Sequence, residues 1–233
     1  MEVISHGLDE REKHNEFISS RNICPMPITS SIVNAADIRA LLSSDPIFKK
    51  IHSAYGAPPD WQRPPGFVSL CRIILEQQVS LASARAHFDK LSAFVPAMTP
   101  EHLLSLTDEE MRHCQISRQK SRYLKALANA VVEGHLDLES LPDQPEDLIR
   151  AHLTRVPGIG GWTCDIYLMF CLQKKDILPL GDVAILSAVT SVTGLTSKEA
   201  ISERSQLWKP LRTLASFYLW HAYLRSRNRP VIL

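Results

Sequence analysis

Three of the chain's 9 glycines fall within four positions, in the run Val156-Pro-Gly-Ile-Gly-Gly-Trp-Thr-Cys-Asp165. Apolar-faced runs flank it, Leu148 to Leu153 before and Trp162 to Leu172 after, so the glycines must form a tight turn between two helices. Pro157 fixes one φ, Gly158 and Gly160 are free to take positive φ, and the missing Cβ atoms let another backbone come close. Such a turn presents unsatisfied amides at the start of the second helix, where the dipole also favours an anion. A nucleic-acid phosphate fits that chemistry, and so does a plain connector that lets two helices pack closely. Twenty positions beyond Trp162 stands Asp182, behind Leu178-Pro-Leu-Gly181 and ahead of VAILSAVTSV. Aspartate there is a preferred helix N-cap, and it is also a carboxylate whose negative charge the helix start favours.

The elements that must position these groups read as helices almost throughout. After residue 30 the apolar period stays near 3.6, and strand-like alternation is scarce. Asn34 is placed to cap AADIRALL, Asp45-Pro46 opens IFKKIHSAY, Thr99-Pro100-Glu101 starts another helix, and Thr107 to Glu110 spells a capping box. Ser117 precedes RQKSRYLKALANAVVEG, with Leu124, Leu127, Ala128, Val131 and Val132 on one side and Gly134 as a stop. The expected fold is all-α, about ten helices in two lobes around a groove. The loop APPDWQRPPG, residues 57 to 66, cannot be crossed by a helix and is expected to separate an N-terminal helical pair from the main body. Residues 1 to 30 lack periodicity and read as an extended arm, leaving 31–233 as the helical domain.

Composition sets the class. With 233 residues, 45% hydrophobic and 22% charged, the chain has the balance of a soluble globule. No apolar run approaches the roughly 18 residues of a membrane span, and the charged opening MEVISHGLDEREKHNEF is unlike a signal peptide, so an intracellular, membrane-free location is expected. Five Cys, at 24, 71, 114, 164 and 171, show no paired spacing, which disfavours disulfides and zinc and suggests buried, reduced thiols. The net charge of +1 is polarised: the segment from Asp182 onward carries +4 and the remainder −3. That permits a basic face, although solvated helix surface gives the same count.

The longer pattern is more specific. LTRVPGIGGWTCDIYLMF followed by LPLGDVAI resembles the signature of the HhH-GPD superfamily of DNA glycosylases: a helix-hairpin-helix, a Gly/Pro-rich loop and an aspartate. Within it, the chain looks like the 3-methyladenine DNA glycosylase II (AlkA-like) branch. FVSLCRIILEQQVSLASA (67 to 84) is similar to the family helix that ends in a Gln-Gln-[Val/Leu]-Ser loop, and LWKPLRTLASFYLW (207 to 220) to its C-terminal Trp-Lys-Pro-x-Arg helix. The resemblance spans about residues 45 to 225. It implies the helix-hairpin-helix glycosylase fold, with the hairpin at 153–173, and excision of alkylated purines of the 3-methyladenine and 7-methylguanine type from duplex DNA in base excision repair.

Roles follow from the same resemblance. It implies Asp182 as the catalytic carboxylate, stabilising the positive charge that grows on the sugar as the N-glycosidic bond breaks. Trp162, Trp220, Tyr167 and Tyr218 would wall the pocket for a flipped base, where aromatic faces favour cationic rings. Both tyrosines equally suit a core. Gly158, Ile159, Gly160, Gly161 and Thr163 would meet the DNA strand, and Gln78 with Ser80 would sit in the loop that fills the gap left in the stack. Gln77 and Gln78 also read as ordinary polar residues at a helix end. Arg212 would steady the pocket or touch a phosphate, and Arg225, Arg227 and Arg229 would touch the backbone.

Bifunctional members carry a lysine where this chain has Trp162, which implies a monofunctional enzyme that uses water and releases an intact abasic strand. No Cys follows Cys171, so an iron-sulfur cluster is not expected. By resemblance, a monovalent cation (Na or K) would bind the carbonyls of Thr154, Val156 and Ile159 when DNA is present, and no other cofactor is required. About 60 residues precede the Pro-rich loop, too few for the separate β-rich domain of longer relatives. The expected partner is double-stranded DNA with a damaged base, bound by a monomer. Two rivals stay open: a glycosylase for deaminated or oxidised bases, and a non-enzymatic helix-hairpin-helix module that tethers a partner to DNA.

Overall fold

Side chains at the helix starts determine where most of the helices begin. In the computed structural model, which describes residues 31–229, Asn34 caps α1 (Ala35–Ser44) by accepting from the amides of Ala36 and Asp37. Asp45 caps α2 (Pro46–Tyr55). After α3 (Phe67–Glu76), Ser80 caps α4 (Leu81–Phe94) and Thr99 caps α5 (Pro100–Ser105). The capping box at Thr107 and Glu110 is complete on α6 (Asp108–His113), and Ser117 caps α7 (Arg118–Val132). Each such bond satisfies a backbone donor that the helix itself leaves free.

Five more helices complete the architecture: α8 (Glu146–Thr154), α9 (Gly161–Phe170), α10 (Val183–Thr193), α11 (Lys198–Arg204) and α12 (Arg212–Ser226). Among the described residues the fold is all-helical, with twelve α-helices, two short 3-10 turns and no strand. No helix there is long and apolar enough to cross a membrane. The expected N-terminal arm, residues 1 to 30, lies outside the described residues.

Two helices form the centre. From Thr213 to Leu224, α12 is buried on almost every side, and α9 is buried from Cys164 through Phe170 apart from Asp165. A helix buried all round has to satisfy its polar side chains internally. Thr213 does so by donating to the Lys174 carbonyl and accepting from the Ile177 amide, and Ser216 donates to the Arg212 carbonyl. The described cysteines, 71, 114, 164 and 171, are free and buried, as expected; Cys24 lies outside the described residues.

The proline-rich loop does not act as a boundary. α1 and α2 pack on α12, and Trp61 of the loop is buried against Phe170, Phe217 and Trp220. The Arg63 amide donates to the Phe170 carbonyl and the Gly66 amide to the Tyr167 hydroxyl, so the loop is stitched onto α9. Prolines forbid a helix here, but they do not forbid burial.

A buried anion ties the N-terminal helices to α11. Asp45 is 1% exposed and accepts from both Nε and Nη2 of Arg204, from the Trp208 indole and from the Ile47 amide. Burial pushes its carboxyl up, but Arg204, Trp208 and that amide together outweigh it and hold it below the ordinary aspartate value. Asp45→Asn is expected to cost about 3 kcal/mol in urea unfolding at neutral pH, the low end for a broken buried pair because Arg204 keeps some exposure. Because the folded-state pKa is depressed, this stability is present above the unfolded value of about 4 and is lost as pH falls through the folded one. The gap between parent and variant should therefore close in acid.

Candidate active site

The glycine-rich turn joins α8 to α9, and each glycine answers a different demand. Gly158 has φ 94, and a Cβ there would lie 2.2 Å from Cγ of Tyr123, so both conformation and space require glycine. Gly160 departs from the expected positive φ: it is the α9 N-cap at φ −98 and ψ −176, an extended conformation open to any residue. At Gly160 and Gly161 an added Cβ would meet nothing within 4 Å. Val156 and Ile159 bury their side chains and anchor the turn, which leaves Ile159 only its backbone to offer a ligand. No side chain caps the amides at the start of α9, and this is the arrangement that receives an anion.

A second loop is tied to the turn from α3. The Gln77 side chain donates to the Gly158 carbonyl at 2.8 Å and to Thr163 Oγ1 at 2.9 Å. Thr163 is thereby buried and internally bonded, while Gln78, at φ 56, is exposed on the loop. Ser80 caps α4. Sequence reasoning weighed Gln77 only as a polar helix end, and the Gln-Gln doublet was the one available signal. Lys120 Nζ reaches back to the Leu75 carbonyl at 2.6 Å, closing the C-terminus of α3, and burial lowers its pKa from the ordinary lysine value.

Asp182 lies where α9, α10 and α12 converge. Its Oδ1 accepts from the amides of Ala184 and Ile185, at 2.9 and 3.0 Å, and from the Trp220 indole at 3.1 Å. Its Oδ2 accepts from the Trp162 indole at 2.9 Å. The N-cap expectation is thus met, and the same side chain faces the two tryptophans named with it. Asp37, Asp45, Asp165 and Asp176 each pair with a lysine or arginine, and among the described residues Asp182 pairs with none.

Asp182, Trp162 and Trp220 line one open cavity of about 1060 Å³, together with Gln78, Gly158 and Gly160. Ser80, Thr163, Thr154, Val156 and Ile159 line it as well. Tyr167 and Tyr218 do not. Both are fully buried: the Tyr167 hydroxyl accepts from Gly66, and the Tyr218 hydroxyl meets His52 Nδ1 at 2.8 Å. Burial raises both phenols, that of Tyr218 to about 12. They are core residues because α9 and α12 bury every face there. Arg212 is also elsewhere, fixed on Asp176 by bonds of 2.7 and 2.9 Å.

Of the expected basic tail, Arg229 lines the cavity and Arg227 lies over the Tyr223 ring. Lys120 and Arg155, which sequence reasoning did not select, supply the other basic groups near the turn. Carbonyls suit a hard cation, and of the three named for one, that of Val156 accepts the Ile159 amide at 3.0 Å and keeps a lone pair. No cluster of His, Cys, Asp or Glu suited to a metal occurs among the described residues.

Comparison with known proteins identifies the family. Residues 71–213 match the family model described as HhH-GPD superfamily base excision DNA repair protein. The chain is 29% identical over 174 residues to DNA-3-methyladenine glycosylase 1 of Schizosaccharomyces pombe, covering 71% of this chain and 76% of that one. The crystal structure of a DNA-3-methyladenine glycosidase from Bacillus halodurans superposes with a TM-score of 0.70 at 26% identity, over 85% of this chain and 94% of the other. A 3-methyladenine DNA glycosylase from S. pombe, in complex with abasic DNA, gives a TM-score of 0.76 at 24% identity over 85% and 99%, a likeness of fold.

The two glycine environments separate experimentally. Gly158→Ala is expected to cost about 1 to 3 kcal/mol in urea unfolding, from the positive φ and the Tyr123 clash. Gly160→Ala should cost less than about 1 kcal/mol.

Proposed function

Because the chain belongs to the HhH-GPD superfamily of base excision DNA repair proteins, we propose that it is a monofunctional DNA glycosylase that removes alkylated purines from duplex DNA. The substrates are of the 3-methyladenine and 7-methylguanine type, and the enzyme acts as a monomer. The observation that carries this reading is Asp182: a carboxylate in a cavity, held by two indoles and two amides, with no cation of the described residues beside it.

In this reading the bare amides at the start of α9 grip a phosphate, aided by Lys120, Arg155 and Arg229. A sodium or potassium ion on the carbonyls of Thr154, Val156 and Ile159 would add positive charge to the same turn. The damaged base rotates out of the duplex at a cost of a few kcal/mol and enters between aromatic walls, where stacking returns about 1 to 3 kcal/mol per base. The indoles of Trp162 and Trp220 are already oriented by their bonds to Asp182, so little ordering remains to oppose binding. Gln78 enters the gap in the stack.

As the glycosidic bond breaks, its electron pair leaves with the base and positive charge grows on the deoxyribose. Asp182 stabilises that charge, and water adds to C1′ with loss of a proton. A cationic alkylated base needs no proton from the protein in order to leave. Lyase chemistry would need an amine at C1′, and the lysine on the cavity wall, Lys120, is held by the Leu75 carbonyl. A mere DNA tether would need the turn but not the cavity with its carboxylate.

Asp182→Asn is expected to bind DNA nearly as the parent does and to lower single-turnover release of 3-methyladenine and 7-methylguanine by about 10² to 10³. Mass spectrometry of bases freed from methylated DNA reads this out, and the product strand should stay uncut and untrapped by borohydride. Undiminished release by the variant would remove Asp182 from the chemistry.

A further inference from the structure

The cavity holds a polar pair that the chemistry above leaves unused. Arg63, from the proline-rich loop, and Glu76, from the end of α3, both line it. Nη1 donates to Oε2 at 3.1 Å and Nη2 to Oε1 at 2.8 Å, and the side chains are only 12% and 16% exposed. The guanidinium carbon lies 5.3 Å from the centre of the Phe170 ring, Phe170 lies 5.4 Å from Trp220, and Trp220 donates to Asp182. One unbroken path of contacts therefore connects the pair to the proposed catalytic carboxylate.

An ion pair at this depth contributes little to stability, because desolvating both charges offsets most of their attraction. As a recognition element it is well equipped. Two guanidinium N–H groups go to Glu76, and among the described residues the others have no side-chain acceptor. Each Glu76 oxygen accepts one N–H and retains a lone pair. The pair thus sets a spare donor beside a spare acceptor, and because Arg63 offsets Glu76, Asp182 remains the uncompensated charge of the trio.

Resting on the glycosylase reading, we infer that the Arg63–Glu76 pair is a specificity-determining element that reads the polar edge of the extruded base. A cationic alkylated purine leaves readily and is held by the aromatic walls. A neutral purine is a poorer leaving group, and it gains most from hydrogen bonds that fix its pose. An edge with a carbonyl acceptor beside a ring N–H, the pattern of hypoxanthine, complements the pair. Loss of such bonds in a desolvated site penalises the base that depends on them.

The test compares single-turnover release of hypoxanthine and 3-methyladenine, which lacks the carbonyl edge, by the parent, by Glu76→Gln, and by the exchange variant Arg63→Glu/Glu76→Arg. Glu76→Gln is expected to lower hypoxanthine release about tenfold more than 3-methyladenine release. The exchange variant retains a pair for the fold, so its melting temperature should stay near the parent's while the ratio of the two rates remains low, since donor and acceptor have changed places. Equal losses for both bases, or a ratio restored by the exchange, would make the pair a structural support and overturn the inference. So would a parent that releases 3-methyladenine but no hypoxanthine, with the glycosylase reading left intact. Release of neither base by the parent would overturn that reading, and this inference with it.

Discussion

The site depends on one constraint: a carboxylate placed where four N–H groups reach it and, among the described residues, no protein cation does. Burying negative charge is costly unless hydrogen bonds replace water. The fold solves the problem twice, in two ways. Asp45 also caps a helix and also accepts from a tryptophan indole, but it is completely buried and adds Arg204. Asp182 is only partly buried and, among the described residues, makes its bonds to neutral donors alone. Asp45 is neutralised in place, whereas in the proposed reading the attraction of Asp182 for positive charge acts on the sugar.

The same four bonds fix the surrounding elements. Trp162 stands in the first turn of α9, Trp220 within α12, and the two amides belong to α10, so three helices register on one side chain. The turn ahead of α9 is held from behind by Tyr123 under Gly158 and from the side by Gln77. Gln77 and Gln78 divide their tasks by conformation: one side chain turns inward to the hairpin, and its neighbour at positive φ stays exposed. A shift of the hairpin would therefore be felt both at the carboxylate and at the loop.

Local rules were legible in the chain, and directions were not. The starts of α1, α2, α5, α6 and α7 follow from capping residues, whose chemistry is complete within three or four positions. The hairpin, Asp182 and the two tryptophans were legible through the combined motif. Tyr167 and Tyr218 were misplaced because helices buried all round carry no periodicity to say which face meets a cavity. Arg212 was misplaced because its partner, Asp176, lies 36 positions away. The proline-rich loop read as punctuation, since nothing local announces that Trp61 and Arg63 fold back on Phe170.

The glycines show how a protein's surface can imply what touches it. Gly158 has two internal reasons, a left-handed φ and the ring of Tyr123. Gly160 and Gly161 have neither, since both positions open into free space and neither has a positive φ. Glycine suits the N-cap position of Gly160 in its own right, and in the proposed reading the open space at both positions admits the close approach of another backbone. Free space and uncapped amides coincide at the start of α9, one residue from the tryptophan that holds Asp182. In the proposed reading, the strand that satisfies those amides and the nucleotide that reaches the carboxylate belong to one ligand, so turn and cavity act as a single site.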